Sequence, residues 1–364
     1  MNYLCHAYME FLSNYGFPKL FSYITFFLIP FCVVAIVLLI VILALVLFER
    51  KLLGWLTQRK GPNRVGLWGV LQTLADAFKL LLKENVTPNK VDRFLFNLSP
   101  ILVFIPVMTA ACIVPYCSEF TFVNTSTNVI LFIILVAFPI LSLFLGGWAS
   151  NNKYSLLGAA RGIAQVLSYE IPMTFIVLSV VVMASSMNMT GIMLAQHSVN
   201  GMAGWFFIPG FIGFVIMFIC LLAELNRCPF DLPEAESELI CGYNTEYSGM
   251  RFALFYLSEY TLLFVCSIFL SILFLGGYLS PFGIYLSYLF FDDSSLASIM
   301  VYFEQVFWLM LKAGLIIFVI IWIRATMPRL ASFDLLKFSW AFLIPLSVFN
   351  LFFVVLIKYF GGAW

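Results

Sequence analysis

Long apolar segments, separated by short polar connections, dominate this sequence. A helix needs about 20 mostly apolar residues to cross a bilayer. Each apolar segment reaches or approaches that length, and the pattern therefore predicts eight transmembrane helices. We place the predicted spans at residues 24–48, 94–115, 129–147, 156–186, 205–223, 252–275, 306–323 and 342–357.

The composition excludes a soluble globular protein. Hydrophobic residues make up 63% of the 364 residues and charged residues 10%, against roughly 45–50% and about 25% in soluble domains. We predict an all-α integral membrane protein, with residues 1–364 forming a single polytopic membrane domain and residues 1–20 an N-terminal extension of unknown role. The net charge of +1 gives no support for nucleic-acid binding.

The cysteines and histidines predict no metal or haem site in this chain. The eight cysteines include no C-x-x-C pair, and the two histidines are His6 and His197. Most of the cysteines lie in apolar segments, where a thiol behaves as a small hydrophobic group. We therefore expect any redox metals to belong to partner proteins.

Positive charge is distributed unevenly among the predicted connections. All but four of the 19 Lys and Arg residues lie in the first, third, fifth and seventh connections, and the second, fourth and sixth contain none. The positive-inside rule places the odd-numbered connections on the cytoplasmic or matrix side. The four exceptions are Lys19, Arg161, Lys312 and Lys358.

The first connection, residues 49–93, combines a basic turn at residues 58–66 with an amphipathic helix. From Leu67 onward, apolar side chains recur on one helical stripe. The polar face of the helix carries Gln72, Asp76, Lys79 and Lys83. Because this helix is too short and polar to span a bilayer, we predict that it lies in the interface. It is either a membrane-surface anchor or a wall that faces another protein and lines a cavity for a polar headgroup.

The fifth connection is strongly acidic. Its carboxylates are Glu224, Asp231, Glu234, Glu236, Glu238 and Glu246. Pro229 and Pro233 are predicted to end the preceding helix and to start a short second one. In that short helix Glu234 and Glu238 would share a face and repel each other. The connection is either a solvated loop or the wall of a buried, water-filled acidic tunnel.

Two further carboxylates lie inside predicted spans. Glu170 is in the fourth span and Glu259 in the sixth, where a charge costs roughly 2.5–3.5 kcal/mol on insertion scales. Arg161 lies on the opposite face of the helix from Glu170, so each needs a partner on another helix or water. Such an acid is either half of a static salt bridge between helices or part of a proton relay.

Six segments of this sequence carry a resemblance to a known family. They are Glu49-Arg50-Lys51, Gln58-Arg59-Lys60-Gly61-Pro62-Asn63, and residues 72–79, 147–154, 165–170 and 223–238. Together they resemble the family of membrane subunit 1 of respiratory complex I, the NADH:ubiquinone oxidoreductase. They follow one another in the family's order through nearly the whole chain. The resemblance implies a subunit of an H⁺-translocating NADH:ubiquinone reductase, with no redox centre in this chain.

The resemblance also implies site residues. Ubiquinone would enter between the first span, the interfacial helix and the sixth span. The implied quinone passage comprises Arg50, Arg59, Asp76, Arg227, Asp231, Phe255 and Arg324. The implied proton relay comprises Glu170, Glu224, Glu234, Glu236, Glu238 and Glu259. This relay would couple NADH-driven ubiquinone reduction to proton translocation.

Partners and location follow from the same resemblance. Ubiquinone would be a substrate, and flavin and iron–sulfur clusters would be held by partner subunits. The expected partners are the iron–sulfur and quinone-site subunits of the peripheral arm, neighbouring small membrane subunits and membrane lipid. The 41 phenylalanines favour an organelle genome, and thus the mitochondrial inner membrane with the odd-numbered connections in the matrix. A bacterial plasma membrane is the alternative.

The sequence departs from the family pattern in two places. After Arg329 the family usually has Arg-Tyr-Asp, which this chain lacks, and the stretch before about Lys19 has no counterpart. Two other functions stay open at this point. A secondary transporter would use the intramembrane acids to bind a coupling ion, although the two halves show no similarity. The related membrane subunit of a hydrogenase or plastid quinone reductase is the other, although residues 59–63 look more like the respiratory branch.

Overall fold

The computed structural model describes residues 19–118, 121–123, 125–197, 201–234, 236–283 and 295–360. Residues 1–18, most of the predicted N-terminal extension, lie outside the described residues. The regular elements within the described ranges are helices. They are α1 (Lys19–Leu56), α2 (Gln72–Leu82), α3 (Arg93–Ile113), α4 (Asn128–Ala149), α5 (Lys153–Ala184), α6 (Met189–Ala195), α7 (Phe211–Glu224), α8 (Glu236–Leu239), α9 (Gly249–Phe274), α10 (Ser295–Thr326), α11 (Ser332–Phe338) and α12 (Ile344–Tyr359).

Seven helical segments of the described chain are long and apolar enough to cross a membrane. They are α1, α3, α4, α5, α9, α10 and the continuous pair α11–α12. A helix satisfies its backbone hydrogen bonds within one segment, which is what the interior of a bilayer requires. The predicted class, an all-α integral membrane protein, is confirmed.

The fifth predicted span, residues 205–223, is shorter than expected. Helix α7 covers only Phe211–Glu224, about 21 Å at 1.5 Å per residue, whereas the bilayer core is about 30 Å thick. Pro209 and Gly210 explain the late start, because a proline disfavours helical geometry in the residue before it and Gly210 is the helix N-cap. The preceding Trp205 and Phe206 are buried in turns instead.

Helix α9 lies at the centre of the bundle. It packs against α1, α2, α3, α6, α7 and α10, and every side chain from Tyr260 to Phe274 is buried. In contrast, α1 and α12 expose large apolar side chains such as Ile40 and Phe352, as expected of helices that face lipid or other membrane subunits. The central position of α9 places Glu259 inside the protein.

Lys312, an exception to the charge pattern of the connections, occupies a cage of carbonyl oxygens. Its Nζ donates hydrogen bonds to the carbonyl oxygens of Leu275, Gly277 and Leu279 at 2.7, 2.8 and 2.7 Å. The same atom lies 4.2 Å from the centroid of the Trp205 ring. Carbonyls at a helix C-terminus lack partners within the helix and carry partial negative charge. Lys312 therefore ties α10 to the end of α9.

Lys358 has a similar role at the other edge of the bundle. From α12 it donates hydrogen bonds to the carbonyl oxygen of Val182 and to the Ser185 hydroxyl, at the C-terminal end of α5. Both lysines are thus paired with helix C-termini instead of water. Because carbonyl oxygens stabilise their charges, Lys312 and Lys358 can lie outside the odd-numbered connections. Their positions therefore do not contradict the predicted sidedness.

We expect Lys312→Met to destabilise the protein by about 2 kcal/mol, because the buried carbonyl oxygens that Lys312 satisfies lose their donor. The measurement is the temperature at which the purified protein in detergent loses its helical circular dichroism. Lys337→Met, at an exposed position in α11, is the matched control. Equal melting temperatures for the two variants would contradict a capping role for Lys312.

The amphipathic helix of the first connection begins at Gln72, later than the predicted start at Leu67. Gly66, Trp68 and Gly69 all have positive φ angles, so the chain turns there before α2 starts. A Cβ on Gly69 would lie 2.2 Å from the Pro62 carbonyl oxygen, which makes glycine necessary at this close approach. The turn folds the basic residues 58–64 back beside the end of α1.

Candidate functional site: a charge cluster at the ends of the odd connections

Residues from the first, fifth and seventh connections meet at one charged region. It lies between the C-terminal halves of α1 and α10, the segment 225–248 and the first half of α9. We call it the charge cluster, and its members are Glu49, Arg227, Asp231, Glu234, Tyr243, Glu259, Arg324 and Arg329. They are joined by ion pairs and hydrogen bonds within three groups.

Glu49 forms the first group with two arginines. Its carboxylate Oε1 accepts a hydrogen bond of 2.7 Å from Arg227 Nη1 and a second from Arg324 Nη1. The Glu49 side chain is 3% exposed and that of Arg227 8%, and the Arg227 guanidinium lies 4.6 Å from the centroid of the Tyr260 ring. Burial lowers the pKa of Arg227, but the charge of Glu49 and its other anionic and phenolic neighbours raise it overall. Arg227 therefore stays charged.

The Glu49 carboxylate has one oxygen to spare. Within the described part of the chain, its Oε2 is buried and has no hydrogen-bond partner. A buried acceptor of this kind normally finds a donor in protein, water or ligand. The spare oxygen belongs to the same carboxylate that binds Arg227 and Arg324, both predicted for the quinone passage.

The predicted passage residues Arg50 and Asp76 form an ion pair that joins α1 to the amphipathic helix α2. Gln72 Nε2 also donates to Asp76, at 3.2 Å. Arg59 is exposed and donates to the Thr57 hydroxyl at 3.1 Å. Arg59 therefore lies at the outer edge of this region, just after the C-terminal end of α1, and not inside the charge cluster.

The apolar stripe of α2 faces away from the protein. Leu74, Phe78, Leu81 and Leu82 of α2 are all at least 40% exposed, as are Leu67 and Leu71 just before it. Because Asp76 on the other side pairs with Arg50 of α1, the helix holds this acid against the protein and presents its apolar side chains outward, to lipid or to a partner subunit. That is the arrangement expected of an interfacial helix.

Asp231 and Arg329 form the second group of the cluster. Their side chains are joined by an ion pair of 3.1 Å and are 20% and 25% exposed. Burial, together with the nearby Glu234, raises the pKa of Asp231 to about 6, while Arg329 limits the rise. Asp231 therefore changes its protonation state close to neutral pH.

Glu234, Tyr243 and Glu259 form the third group. The Tyr243 hydroxyl donates to Glu259 Oε1 at 2.8 Å and lies 3.5 Å from Glu234 Oε1. The two carboxyl groups thus face one phenol hydroxyl, and two like charges this close disfavour ionisation of both groups at once. The charge of Glu259, followed by burial, raises the pKa of Glu234 to about 8. Glu234 therefore keeps its proton at neutral pH.

Phe255, also predicted for the passage, is a buried packing residue in this structure. Its side chain is 1% exposed, and its ring meets those of Tyr243 and Tyr247 edge to face at 5.5 and 4.9 Å. It belongs to a small aromatic core that supports the third group. A role in contacting quinone stays a prediction.

Glu224 and Glu259 line the same small cavity. The cavity measures about 30 Å³, and its polar lining comes from Glu224, Asn226, Tyr243, Ser258 and Glu259. One water needs about 10–15 Å³ of such volume and two or more polar partners. The cavity therefore has space and hydrogen-bonding groups for on the order of two waters between the two carboxylates.

Gln165 fixes the position of Glu224. Its fully buried amide Nε2 donates to the carbonyl oxygens of Ala223 and Phe230, both at 2.7 Å. These bonds hold the C-terminal end of α7 and the start of the acidic connection against α5. Gln165 thus holds the helix end that positions Glu224 at the cavity.

Glu170 lies apart from the cluster, on the outer side of α5. It lines an open groove of about 320 Å³ with Ser168, Thr174 and Trp340. Its charge acts electrostatically on Glu224, the neighbouring carboxyl group further inside the protein. Within the described chain Glu170 forms no ion pair, so the static salt bridge considered for it is not present here.

The predicted pairing of Glu234 with Glu238 is wrong. Helix α8 covers only Glu236–Leu239, so Glu234 lies in the turn before it and joins Tyr243 and Glu259 instead. Glu238 is exposed and forms an ion pair with Arg161 of α5, which provides the partner that Arg161 was predicted to need. The side chain of Glu236 lies outside the described residues, and its relay role stays a prediction.

Two functional candidates were missed at the sequence level. Glu49 was taken to mark the end of the first span, but α1 continues to Leu56. The apolar Leu52 and Leu53 after the charged triplet were a signal that the helix goes on with Glu49 facing inward. The sequence around Tyr243 gave no sign of a functional role, because its contacts with Glu234 and Glu259 form only when the chain folds.

No group of three or more His, Cys, Asp or Glu side chains that could hold a metal is found among the described residues. The carboxylates of the charge cluster are instead paired with arginines or with each other, an arrangement suited to proton and charge displacement. Flavin and iron–sulfur clusters in partner subunits stay a prediction.

Comparisons with known proteins assign a family. The sequence profile of the NADH dehydrogenase family matches residues 29–355. A protein of Brevibacillus brevis, named as a subunit of NADH-quinone oxidoreductase, is 42% identical over 92% of this chain and 95% of its own length. Relatives with that name from Bacillus cytotoxicus and Bacillus mycoides are each 41% identical, over 89% and 93% of this chain and 92% and 96% of their own lengths.

Proposed function

Since the chain belongs to the NADH dehydrogenase family, we propose that it is a membrane subunit of an NADH-quinone oxidoreductase. In this role it admits ubiquinone and couples quinone reduction to proton translocation. The observation that carries the proposal is the charge cluster, in which one carboxylate contacts arginines and two others face the hydroxyl of a buried tyrosine. Ubiquinone is the substrate, and NADH oxidation takes place in partner subunits.

The quinone passage lies between α1, α2 and α9, which pack against one another. The exposed apolar stripe of α2 suits an isoprenoid tail arriving from lipid. The passage offers hydrogen-bond donors to the carbonyl oxygens of the quinone ring, first Arg59 at the outer edge and then Arg50, Arg227 and Arg324 further in. The spare oxygen of Glu49 is an acceptor for a hydroxyl of the reduced quinone.

The relay begins where the passage meets the charge cluster. Reduction changes the charge and proton content of the quinone ring, and Glu49 and the arginines paired with it would respond first. Arg227 acts electrostatically on Glu259, which shares a proton with Glu234. The cavity then connects Glu259 to Glu224, and Glu170 on the outer side of α5 follows. Coupled acids of this kind move protons as a set.

Partner subunits complete the proposed assembly. The iron–sulfur and quinone-site subunits of the peripheral arm would cover the basic first connection, and neighbouring small membrane subunits and lipid would cover exposed apolar helices such as α1 and α12. Membership of the NADH dehydrogenase family explains the observations that suggested a transporter or a hydrogenase subunit. No specific observation favours either alternative.

The membrane is proposed to be a bacterial plasma membrane. The relatives described above come from Brevibacillus and Bacillus, and they give no support to the mitochondrial inner membrane expected from the phenylalanine content. The odd-numbered connections would then face the cytoplasm.

Replacing Arg59 by alanine should raise the apparent KM for a short-chain ubiquinone about threefold to tenfold, with little change in kcat. One charge-assisted hydrogen bond to the ring is lost, and such a bond contributes about 1 kcal/mol or more to binding. The measurement is inhibitor-sensitive NADH:quinone reduction by the whole complex over a range of quinone concentrations. Lys60→Ala, at the next exposed position, is the control. An unchanged KM in Arg59→Ala would remove Arg59 from the passage.

A further inference from the structure

Tyr243 has a place in the charge cluster that the sequence did not reveal. It lies in the 3₁₀ turn Gly242–Asn244, between α8 and α9, and its side chain is 2% exposed. Its hydroxyl faces two carboxyl groups at once, with 2.8 Å to Glu259 Oε1 and 3.5 Å to Glu234 Oε1. The hydroxyl has one proton to donate, so it can serve only one of them.

The surroundings fix the position of this hydroxyl. Ser155 of α5 donates a hydrogen bond of 3.2 Å to the Tyr243 carbonyl oxygen, and the Tyr243 ring packs edge to face on Phe255 at 5.5 Å. Gly242 adopts a φ of +53°, and a Cβ there would lie 1.7 Å from the Pro233 carbonyl oxygen. The turn is therefore held against the segment that carries Glu234, and the phenol can change its donor direction without moving its ring.

We propose that Glu234 and Glu259 share one proton, and that Tyr243 is a positioning residue that sets which of the two carboxyl groups carries it. With its hydroxyl donated to Glu259, it stabilises an ionised Glu259 and a protonated Glu234. Asn244 Nδ2 donates to Glu234 Oε1 at 3.3 Å and keeps that group in place. The inference rests on the relay proposed above and adds the order in which its carboxyl groups take up the proton.

Proton transfer within the pair then has a defined form. The O–H bond of Glu234 breaks, a new O–H bond forms at Glu259, and the negative charge moves to Glu234. No bond of Tyr243 breaks. Its hydroxyl turns from Glu259 toward Glu234, following the charge. Glu259 lines the cavity that leads to Glu224, so a proton on Glu259 can enter it. Glu234 is not among the residues that line this cavity.

Other charges act on the pair from several elements. Arg227 of the fifth connection and Arg324 of α10 lower the pKa of Glu234. Asp231 of the fifth connection acts on Glu259, and Glu224 of α7 faces Glu259 across the cavity. These groups stay in place when the Tyr243 hydroxyl is removed, so any change in pH dependence reports the lost donor.

Tyr243→Phe tests the inference, because it keeps the ring and removes the hydroxyl. The measurement is the pH profile of NADH-driven proton uptake by the intact complex in vesicles. Without the donor, the singly charged pair takes up a second proton more readily. The acid half-point of the profile should therefore move up by about one pH unit. Tyr247→Phe, a buried neighbour in the same aromatic core, should leave the half-point where it is in the wild type.

A second substitution covers the case in which Tyr243→Phe does not assemble. Replacing Tyr243 by 3-fluorotyrosine keeps ring and hydroxyl and makes the hydroxyl a stronger donor, so the acid half-point should move down. An unchanged profile in either variant overturns the positioning role. If Glu259→Gln pumps like the wild type, the relay itself is wrong. If Glu259→Gln fails to pump while both Tyr243 variants keep the wild-type profile, only the positioning role is overturned.

Discussion

Replacing Arg227 by methionine is expected to destabilise the protein by about 4 kcal/mol. Arg227 and Arg324 together neutralise Glu49, whose side chain is 3% exposed. Methionine fills a similar volume but leaves a buried carboxylate with only Arg324, whose side chain is 38% exposed. Removing one partner of a buried ion pair is costly because the other charge stays desolvated.

The measurement is the melting temperature of the purified protein and the amount that survives extraction in detergent. Arg161→Met is the matched control, because its partner Glu238 is 53% exposed and such a pair contributes about 0–1 kcal/mol. If the two variants melt at the same temperature, the Glu49 group does not stabilise the junction of α1, α10 and the fifth connection.

Glu259→Gln is expected to lower NADH-driven proton uptake on the order of tenfold or more. The amide has nearly the size of the carboxyl group and can still accept the Tyr243 hydrogen bond, so packing is kept while the exchangeable proton of the pair is lost. Quinone reduction should fall together with proton uptake, because the two are coupled.

Glu246→Gln is the control for this prediction. Glu246 belongs to the same connection and accepts a 2.7 Å hydrogen bond from Asn152 Nδ2, but it contacts no member of the charge cluster within the described chain. NADH oxidation by ferricyanide, which needs no quinone, measures how much of the complex has assembled. Wild-type proton uptake in Glu259→Gln would exclude Glu259 from the relay.

The architecture was largely accessible from the sequence, because hydrophobic segment length determines membrane-spanning helices directly. The errors of the prediction were confined to helix ends. Pro209 and Gly210 delayed the start of α7, and α1 continued through Glu49-Arg50-Lys51 to Leu56. Charged residues do not end a helix whose backbone and packing continue to favour it, so the charge pattern placed that boundary too early.

The chemistry of the site was predicted by residue type but not by pairing. The acids of the fifth connection were recognised, yet the helix expected to join Glu234 and Glu238 did not form at Glu234. The pairs that matter link distant parts of the chain, as Glu49 and Arg227 do across 178 positions. Helical periodicity says nothing about such contacts. For the same reason Tyr243, which depends on the folding of the fifth connection against α9, could not be foreseen.

The central claim is that this chain works inside an NADH-quinone oxidoreductase and couples its quinone reaction to proton movement. The most direct test is to purify the native complex through a tag on this chain in mild detergent. We would then assay the complex for flavin, iron–sulfur EPR signals and inhibitor-sensitive NADH:ubiquinone reduction, and measure proton uptake after reconstitution into vesicles. We predict that all four travel with the chain. A chain that purifies alone, without redox centres or quinone reduction, would contradict the account.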